Sequence, residues 1–214
     1  MAYVVRLTFN PFQENTYLVY DDSKECVIFD PGCFNDAEKK ELTGKIDELG
    51  LKPVRLINTH CHIDHVFGNS YIAGRYELPL EIHPGEAPVL EAVEQSAAFF
   101  GIPYPDPSPE AGRFIEAGET VTFGNTELKA LFTPGHSPAS LSFFCEAGRF
   151  VIAGDVLFQG SIGRTDLPGG DFNTLIKSIE EQLFPLGDDV TVHPGHGPET
   201  NIGYERKHNP FLKR

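Results

Sequence analysis

The chain lacks the features that mark membrane and disulfide-stapled secreted proteins. No apolar run approaches the roughly 20 residues that a membrane helix needs. Residues 1–20 have neither a basic start nor a continuous apolar core, so they read as two alternating strands rather than a signal peptide, and the cytoplasm is the expected location. Cysteine is scarce: Cys26, Cys33, Cys61 and Cys145 form no C-x-x-C pair, and free buried thiols are expected. Cations are outnumbered, with 17 Lys and Arg against 31 Asp and Glu, and a net charge of −14 repels phosphate backbones, which disfavours a nucleic-acid partner. There is no internal repeat, and no Gly-x-Ser-x-Gly of a serine hydrolase.

What is present is ordinary globular material, 40% hydrophobic and 22% charged, and 214 residues suit one domain spanning 1–214. Residues 3–9 alternate, and 15–20 follow a turn at Asn10-Pro11. Residues 26–29 form a short apolar strand that stops at Asp30-Pro31-Gly32. Ala37, Leu42, Ile46 and Leu49 recur at roughly helical spacing over 36–49, with Asn35 as a candidate N-cap and Gly50 as a stop. Strands are expected at 56–58, 80–82, near 120–132, at 140–145, 149–153 and 190–192, with helices at 86–100 and 172–183. Alternate prolines over 103–109 remove backbone donors, so that stretch reads as a stiff surface loop, with Tyr104 able to cover a cleft. Strands in both halves with helices interspersed predict a layered α/β sandwich of two sheets with helices outside.

The strongest signal is Thr59-His60-Cys61-His62-Ile63-Asp64-His65. It follows a strand, where alternate side chains point the same way, so His60 and His62 can aim at one ion. A turn into a helix would then project Asp64 and His65 towards a second ion beside it. Imidazole and carboxylate suit zinc, and also iron or manganese. Three distant segments end strands with further ligand types: Thr133-Pro134-Gly135-His136, Ala153-Gly154-Asp155 and His193-Pro194-Gly195-His196. An aspartate between two cations can bridge them, one oxygen to each. Two such ions can lower the pKa of a shared water towards neutrality and polarise a carbonyl, so no side-chain nucleophile is required. His83, His193 and His208 lack this spacing and read as ordinary histidines, His193 with a possible hydrogen bond behind the ligands.

The succession THCHIDH, PGHS, AGDVLF and PGHGP resembles the metallo-β-lactamase superfamily over nearly the whole chain. Residues 158–166, from Phe158 through Gly163-Arg164-Thr165-Asp166, and the ending with Gly203-Tyr204-Glu205-Arg206 and Asn209-Pro210-Phe211, are similar to small single-domain members of the glyoxalase II-like branch. The resemblance implies a four-layer αββα sandwich. It implies a first metal on His60, His62 and His136, a second on Asp64, His65 and His196, and Asp155 as the bridge. Asp64 could also orient the bridging water. The implied activity is hydrolysis of a small-molecule thioester of the hydroxyacyl-glutathione kind with two divalent transition-metal ions, zinc first among them. Two-domain glyoxalase II enzymes carry a C-terminal helical domain that contacts glutathione. Too few residues follow His196 for one, which sets the expectation of weaker dependence on the glutathione moiety. Persulfide dioxygenases look similar, including a Gly-Arg-Thr-Asp segment, and would place a single iron on His60, His136 and Asp155. Arg164, on a glycine-rich loop after the bridging aspartate, is either a grip for a substrate carboxylate or a partner of Asp166 or Asp171.

Overall fold

The computed structural model describes residues 1–104 and 106–213. One six-stranded sheet contains β1 (Ala2–Phe9), β2 (Glu14–Asp21), β3 (Glu25–Phe29), β4 (Lys52–Ile57), β5 (Leu80–Ile82) and β6 (Ala111–Phe114), side by side in chain order. The first three are antiparallel and the remaining pairings parallel. The parallel connections carry α1 (Asp36–Leu49), α2 (Ile63–Val66), α3 (Asn69–Tyr76), α4 (Ala87–Glu91) and α5 (Val93–Phe100). The second half supplies β7 (Thr120–Phe123), β8 (Thr126–Phe132), β9 (Leu141–Cys145), β10 (Phe150–Gly154), a small hairpin of β11 (Leu157–Phe158) and β12 (Ser161–Ile162), then β13 (Thr191–Pro194) and β14 (Thr200–Asn201). The second sheet runs β14-β13-β10-β9-β8-β7, and α6 (Phe172–Ser178) and α7 (Ile202–His208) complete the chain's helices among the described residues.

Strand periodicity explains the layering. Tyr17 and Val19 on β2 and Val27 and Phe29 on β3 share a core with Leu141 and Phe143 on β9 and Ile152 on β10, between the sheets. Their neighbours Leu18, Cys26 and Ile28 point the other way, against Leu42 and Ile46 of α1 and Ile72 of α3. On the second sheet Phe144, Val151 and Ala153 face Leu175 of α6 and Ile202 of α7. Strands buried on both faces read as unbroken apolar runs, which is why 26–29 and 150–153 do not alternate. The three cores separate four layers, helix, sheet, sheet, helix, so the fold is the αββα sandwich of the metallo-β-lactamase type.

Helix α1 begins and ends as its sequence requires. The Asn35 side chain accepts from the Ala37 and Glu38 N–H groups, and Gly50 closes the helix in the left-handed region at φ 63°. Elsewhere the elements differ from the expectation. The helix expected over 86–100 is a 3-10 turn at Pro84–Glu86 followed by α4 and α5, interrupted at Ala92 with ψ −2°. Proline fits only the first turn of a helix, and Pro88 holds that position in α4. The helix expected over 172–183 is α6 continued by a π-helical turn, Ile179–Leu183. The stretch 120–132 is a hairpin bent at Gly124, and β4 begins at Lys52, ahead of the expected 56–58. Strand β6 was not expected because most of its residues are exposed and give no apolar pattern. The described part of 103–109 is irregular, with the Tyr104 ring against Phe67 at 6.2 Å and its hydroxyl accepting from the Ser108 N–H at 2.8 Å; Pro105 lies outside the described residues. All four cysteines are buried and free, and no helix among the described residues is long and apolar enough to cross a membrane.

The inter-sheet core carries a testable load. Phe143 is fully buried, its ring 4.9 Å from that of Phe29 on the facing sheet. Phe143→Ala should lower the unfolding free energy by about 3–5 kcal/mol in chemical denaturation, as large-to-small changes do at well-packed sites. A loss well under ~1 kcal/mol would mean that the two sheets are not held together there.

Candidate metal centre

Strands from both sheets deliver ligand-type residues to one edge of the sandwich. Beyond β4 the chain bends at Thr59 and His60, returns to an extended conformation at His62, and α2 then turns Asp64 and His65 into the site. His136 follows β8, Asp155 follows β10 and His196 follows β13. Two glycines let these turns close. Gly154 stands at φ 53°, where a Cβ would lie 2.5 Å from Thr59 Oγ1. At Gly195 a Cβ would collide with the Asp155 carboxylate and the His65 ring. Asn15 at the start of β2 fastens the last turn, donating from its side chain to the carbonyls of Pro194 and Gly197.

The seven residues singled out in the sequence come together. His60, His62 and His136 form one group whose ring nitrogens lie within 4.8 Å of one another, and Asp64, His65 and His196 offer a second such group. Asp155 stands between them: Oδ1 is 3.5 Å from His65 Nε2, while Oδ2 is 3.4 Å from His136 Nε2 and 3.5 Å from His196 Nε2. His196 Nε2 is also 3.1 Å from Asp64 Oδ2. The His196 side chain is partly exposed, and the Phe158 ring stands edge-on to it at 6.2 Å.

Three of the rings are hydrogen-bonded from behind through their other nitrogen, and a fourth, His65, faces a carboxylate there. His136 Nδ1 donates to the Arg164 carbonyl at 2.7 Å, and His196 Nδ1 lies 3.1 Å from the Phe12 carbonyl. His65 Nδ1 faces Asp30 Oδ2 at 3.2 Å. Thr59 Oγ1 donates to Asp30 Oδ2 at 2.6 Å, which leaves its lone pair to accept from His60 Nδ1 at 3.1 Å. With Nδ1 protonated, each Nε2 presents a lone pair to the pocket. His62 instead turns Nδ1 inward, 2.8 Å from His136 Nε2.

Buried acceptors that converge on one another are the arrangement a cation satisfies. His60 Nε2, His65 Nε2 and Asp155 Oδ1 are buried without a hydrogen-bond partner among the described residues, a state that proteins seldom tolerate. Burial, reinforced by the neighbouring rings, keeps His60 neutral well below the usual histidine range and pushes His62 down to about 3. Burial alone would raise Asp155, but His65 and His136 hold it well below the usual carboxylate range, and His65 with His196 does the same more mildly for Asp64. His65 behaves oppositely. Burial lowers it, yet Asp64 and Asp155 raise it well above its ordinary value, so the field at that ring holds positive charge. Neutral imidazoles on one side and anionic carboxylates on the other fit divalent ions of the zinc, iron or manganese type.

Several contributors stand outside the ligand pattern of the sequence. Asp30, at φ 47° beyond β3, accepts from the Thr59 N–H and orients His65 and, through Thr59, His60. Glu14, fully buried, brings Oε1 to 3.9 Å from His65 Nδ1. Glu86 accepts from Cys61 and Ala139 N–H groups beside two of the histidines. Asp30 ends a strand as Asp155 does, which was the available clue; Glu86 and Glu14 are isolated in sequence and carried none. The Arg164 side chain is half-exposed and forms a two-pronged pair with Asp166, both contacts 2.7 Å, so its contribution to the pocket is its backbone carbonyl. Asp171 caps α6 instead. Of the other histidines, His193 packs between Tyr17 and Phe150, His83 caps the Pro84–Glu86 turn and His208 lies tilted against the Tyr204 ring.

Known proteins share this plan. A family model described as the Metallo-beta-lactamase superfamily matches residues 9–196. The chain is 39% identical over 209 residues to the probable metallo-hydrolase YqgX of Bacillus subtilis, covering 97% of this chain and 96% of that protein. It is 37% identical over 202 residues to the hydroxyacylglutathione hydrolase GloC of Haemophilus influenzae, covering 94% and 93%. Among solved structures it is similar to the B3 metallo-beta-lactamase BLEG-1 (TM-score 0.91, 36% identity, covering 99% and 100%) and to TTHA1623 in a di-iron-bound form (TM-score 0.87, 38% identity, covering 98% and 100%). The chain therefore belongs to the metallo-beta-lactamase superfamily, as one of its metal-dependent hydrolases.

Proposed function

We propose that this chain hydrolyses thioesters of the hydroxyacyl-glutathione kind, with one divalent ion on His60, His62 and His136, a second on Asp64, His65 and His196, and Asp155 shared. The observation that carries the reading is the pair of adjacent donor groups with Asp155 between them, Oδ1 towards His65 and Oδ2 towards His136 and His196. Likeness to the Haemophilus hydroxyacylglutathione hydrolase over 94% of the chain supports the substrate class. Zinc suits the nitrogen-rich donor set, and likeness to a di-iron structure makes iron the second choice.

Bound there, two such ions supply an acidified water and a positive field at the scissile carbonyl. The chain's own residues hold and orient. Asp64, kept ionised by His65 and His196, offers a carboxylate oxygen to accept a hydrogen bond from the attacking water. Thr59, itself held by Asp30, and the carbonyls of Phe12 and Arg164 fix His60, His196 and His136 in one tautomer. Water adds at the carbonyl carbon, the C–S bond breaks, and the products are a carboxylate and a thiol. A thiolate leaves readily, so no dedicated acid is needed.

Three results would test the reading. Protein purified without chelator should carry close to two transition-metal ions per chain by elemental analysis, and Asp155→Ala should weaken both; retention of both ions at wild-type affinity would remove the shared role of Asp155. Stripping the metal should lower the melting temperature. At a hundred- to thousandfold excess over Kd the stabilisation is about 3–4 kcal/mol for each ion, which for both together is roughly 10–30 °C for a chain of this size. Equal melting temperatures for stripped and loaded protein would contradict this. Loaded protein should cleave S-lactoylglutathione without consuming oxygen. The competing reading, a persulfide dioxygenase with iron on His60, His136 and Asp155, gains from the likeness to a di-iron structure. Inertness towards a panel of thioesters together with oxygen uptake on glutathione persulfide would establish it in place of the hydrolase.

A further inference from the structure

Glu86 belongs to neither donor group, yet it touches both loops that form the first one. It lies at the entry to α4, fully buried. Its Oε2 accepts from the Cys61 N–H at 2.9 Å and its Oε1 from the Ala139 N–H at 2.9 Å. The Ser137 hydroxyl sits astride both oxygens, at 2.6 and 2.8 Å. Cys61 lies between His60 and His62, and Ser137 follows His136, so this one carboxylate straps together the two segments whose rings meet at 2.8 Å. Every neighbour that it bonds is a donor, and burial raises its pKa against the pull of those bonds.

The second donor group is held by other means. His65 is oriented by Asp30 and His196 by the Phe12 carbonyl, while Asn15 fastens the His196 turn. None of these contacts involves Glu86. We propose that Glu86 is a positioning residue of the His60–His62–His136 half of the centre, acting on that half's affinity for a cation by strapping its two loops together, without touching the cation. The inference rests on reading this group as a metal site.

An isosteric change discriminates strapping from mere filling of space. Gln has one acceptor oxygen, so whichever way the amide turns, its NH2 faces the N–H of Cys61 or of Ala139. The distances within the strap leave no room for that without parting the loops. The experiment is a zinc titration of chelator-stripped full-length protein, wild type and Glu86→Gln, followed by the histidine ring 15N signals, which report which rings bind. The expected result is one ion bound about 10–100-fold more weakly, with the His60, His62 and His136 signals responding late and those of His65 and His196 near their wild-type positions in the titration. Ser137→Ala, which removes one donor and keeps the carboxylate, should shift the same ion in the same direction by less; it decides the question if circular dichroism shows stripped Glu86→Gln to be unfolded. Unchanged binding of both ions, or equal weakening of both in folded protein, would overturn the role. Wild-type protein whose His60, His62 and His136 signals never respond to zinc would instead bring down the metal reading beneath it.

Discussion

Asp155 is the point on which this structure turns. Its carboxylate is buried between two sets of histidines, with one oxygen facing His65 and the other facing His136 and His196. A lone carboxylate in such a place would take up a proton; here the surrounding rings hold it ionised. The rings in turn are steered by Asp30, Thr59 and two backbone carbonyls so that their lone pairs face inward. The pocket therefore gathers acceptors on one side and anions on the other, with orphaned buried atoms between them. Protein groups alone leave that pattern unbalanced, and divalent cations balance it.

The sandwich serves this convergence. The donor-bearing turns leave strands of both sheets, so neither half of the chain could build the pocket alone. Stiff cores on three levels keep the turns in register, and glycine at 154 and 195 allows backbones to approach where a Cβ would strike Thr59 or Asp155. The struts behind the rings are local: Glu86 spans the loops of His60–His62 and His136, Asn15 and Phe12 support the His196 turn, and Asp30 stands behind both His65 and, through Thr59, His60. Two adjacent sites can thus share Asp155 and still differ in how firmly each is built.

Much of this was legible in the residues. The THCHIDH run after an apolar strand, and ligand types at the ends of three later strands, mark the donor set because strand ends gather at a sheet edge. Helix α1 could be read from Asn35, Gly50 and the spacing of Leu42 and Ile46, since caps and periodicity are local. The interruption at Ala92 and the π-helical turn after Ser178 were not legible, because neither Ala92 nor Ile179 is a glycine, a proline or a capping residue that would mark it. Exposed β6 left no apolar signature. Glu86 and Glu14 could not be found from sequence, since a buried carboxylate acquires meaning only from the donors that folding brings to it. Arg164 shows the opposite case: the sequence drew attention to its side chain, whereas its carbonyl is what faces His136 and its guanidinium is taken by Asp166.

The central claim is that this pocket holds two neighbouring cations sharing Asp155. Anomalous diffraction at the absorption edge of the native metal, on crystals grown without chelator, tests it most directly. The account predicts two peaks about 3.5–4 Å apart, with Asp155 touching both, Nε2 of His60 and His136 and Nδ1 of His62 at one, and Nε2 of His65 and His196 with Asp64 at the other. A single peak at full metal loading, or two peaks neither of which is shared by Asp155, would contradict it.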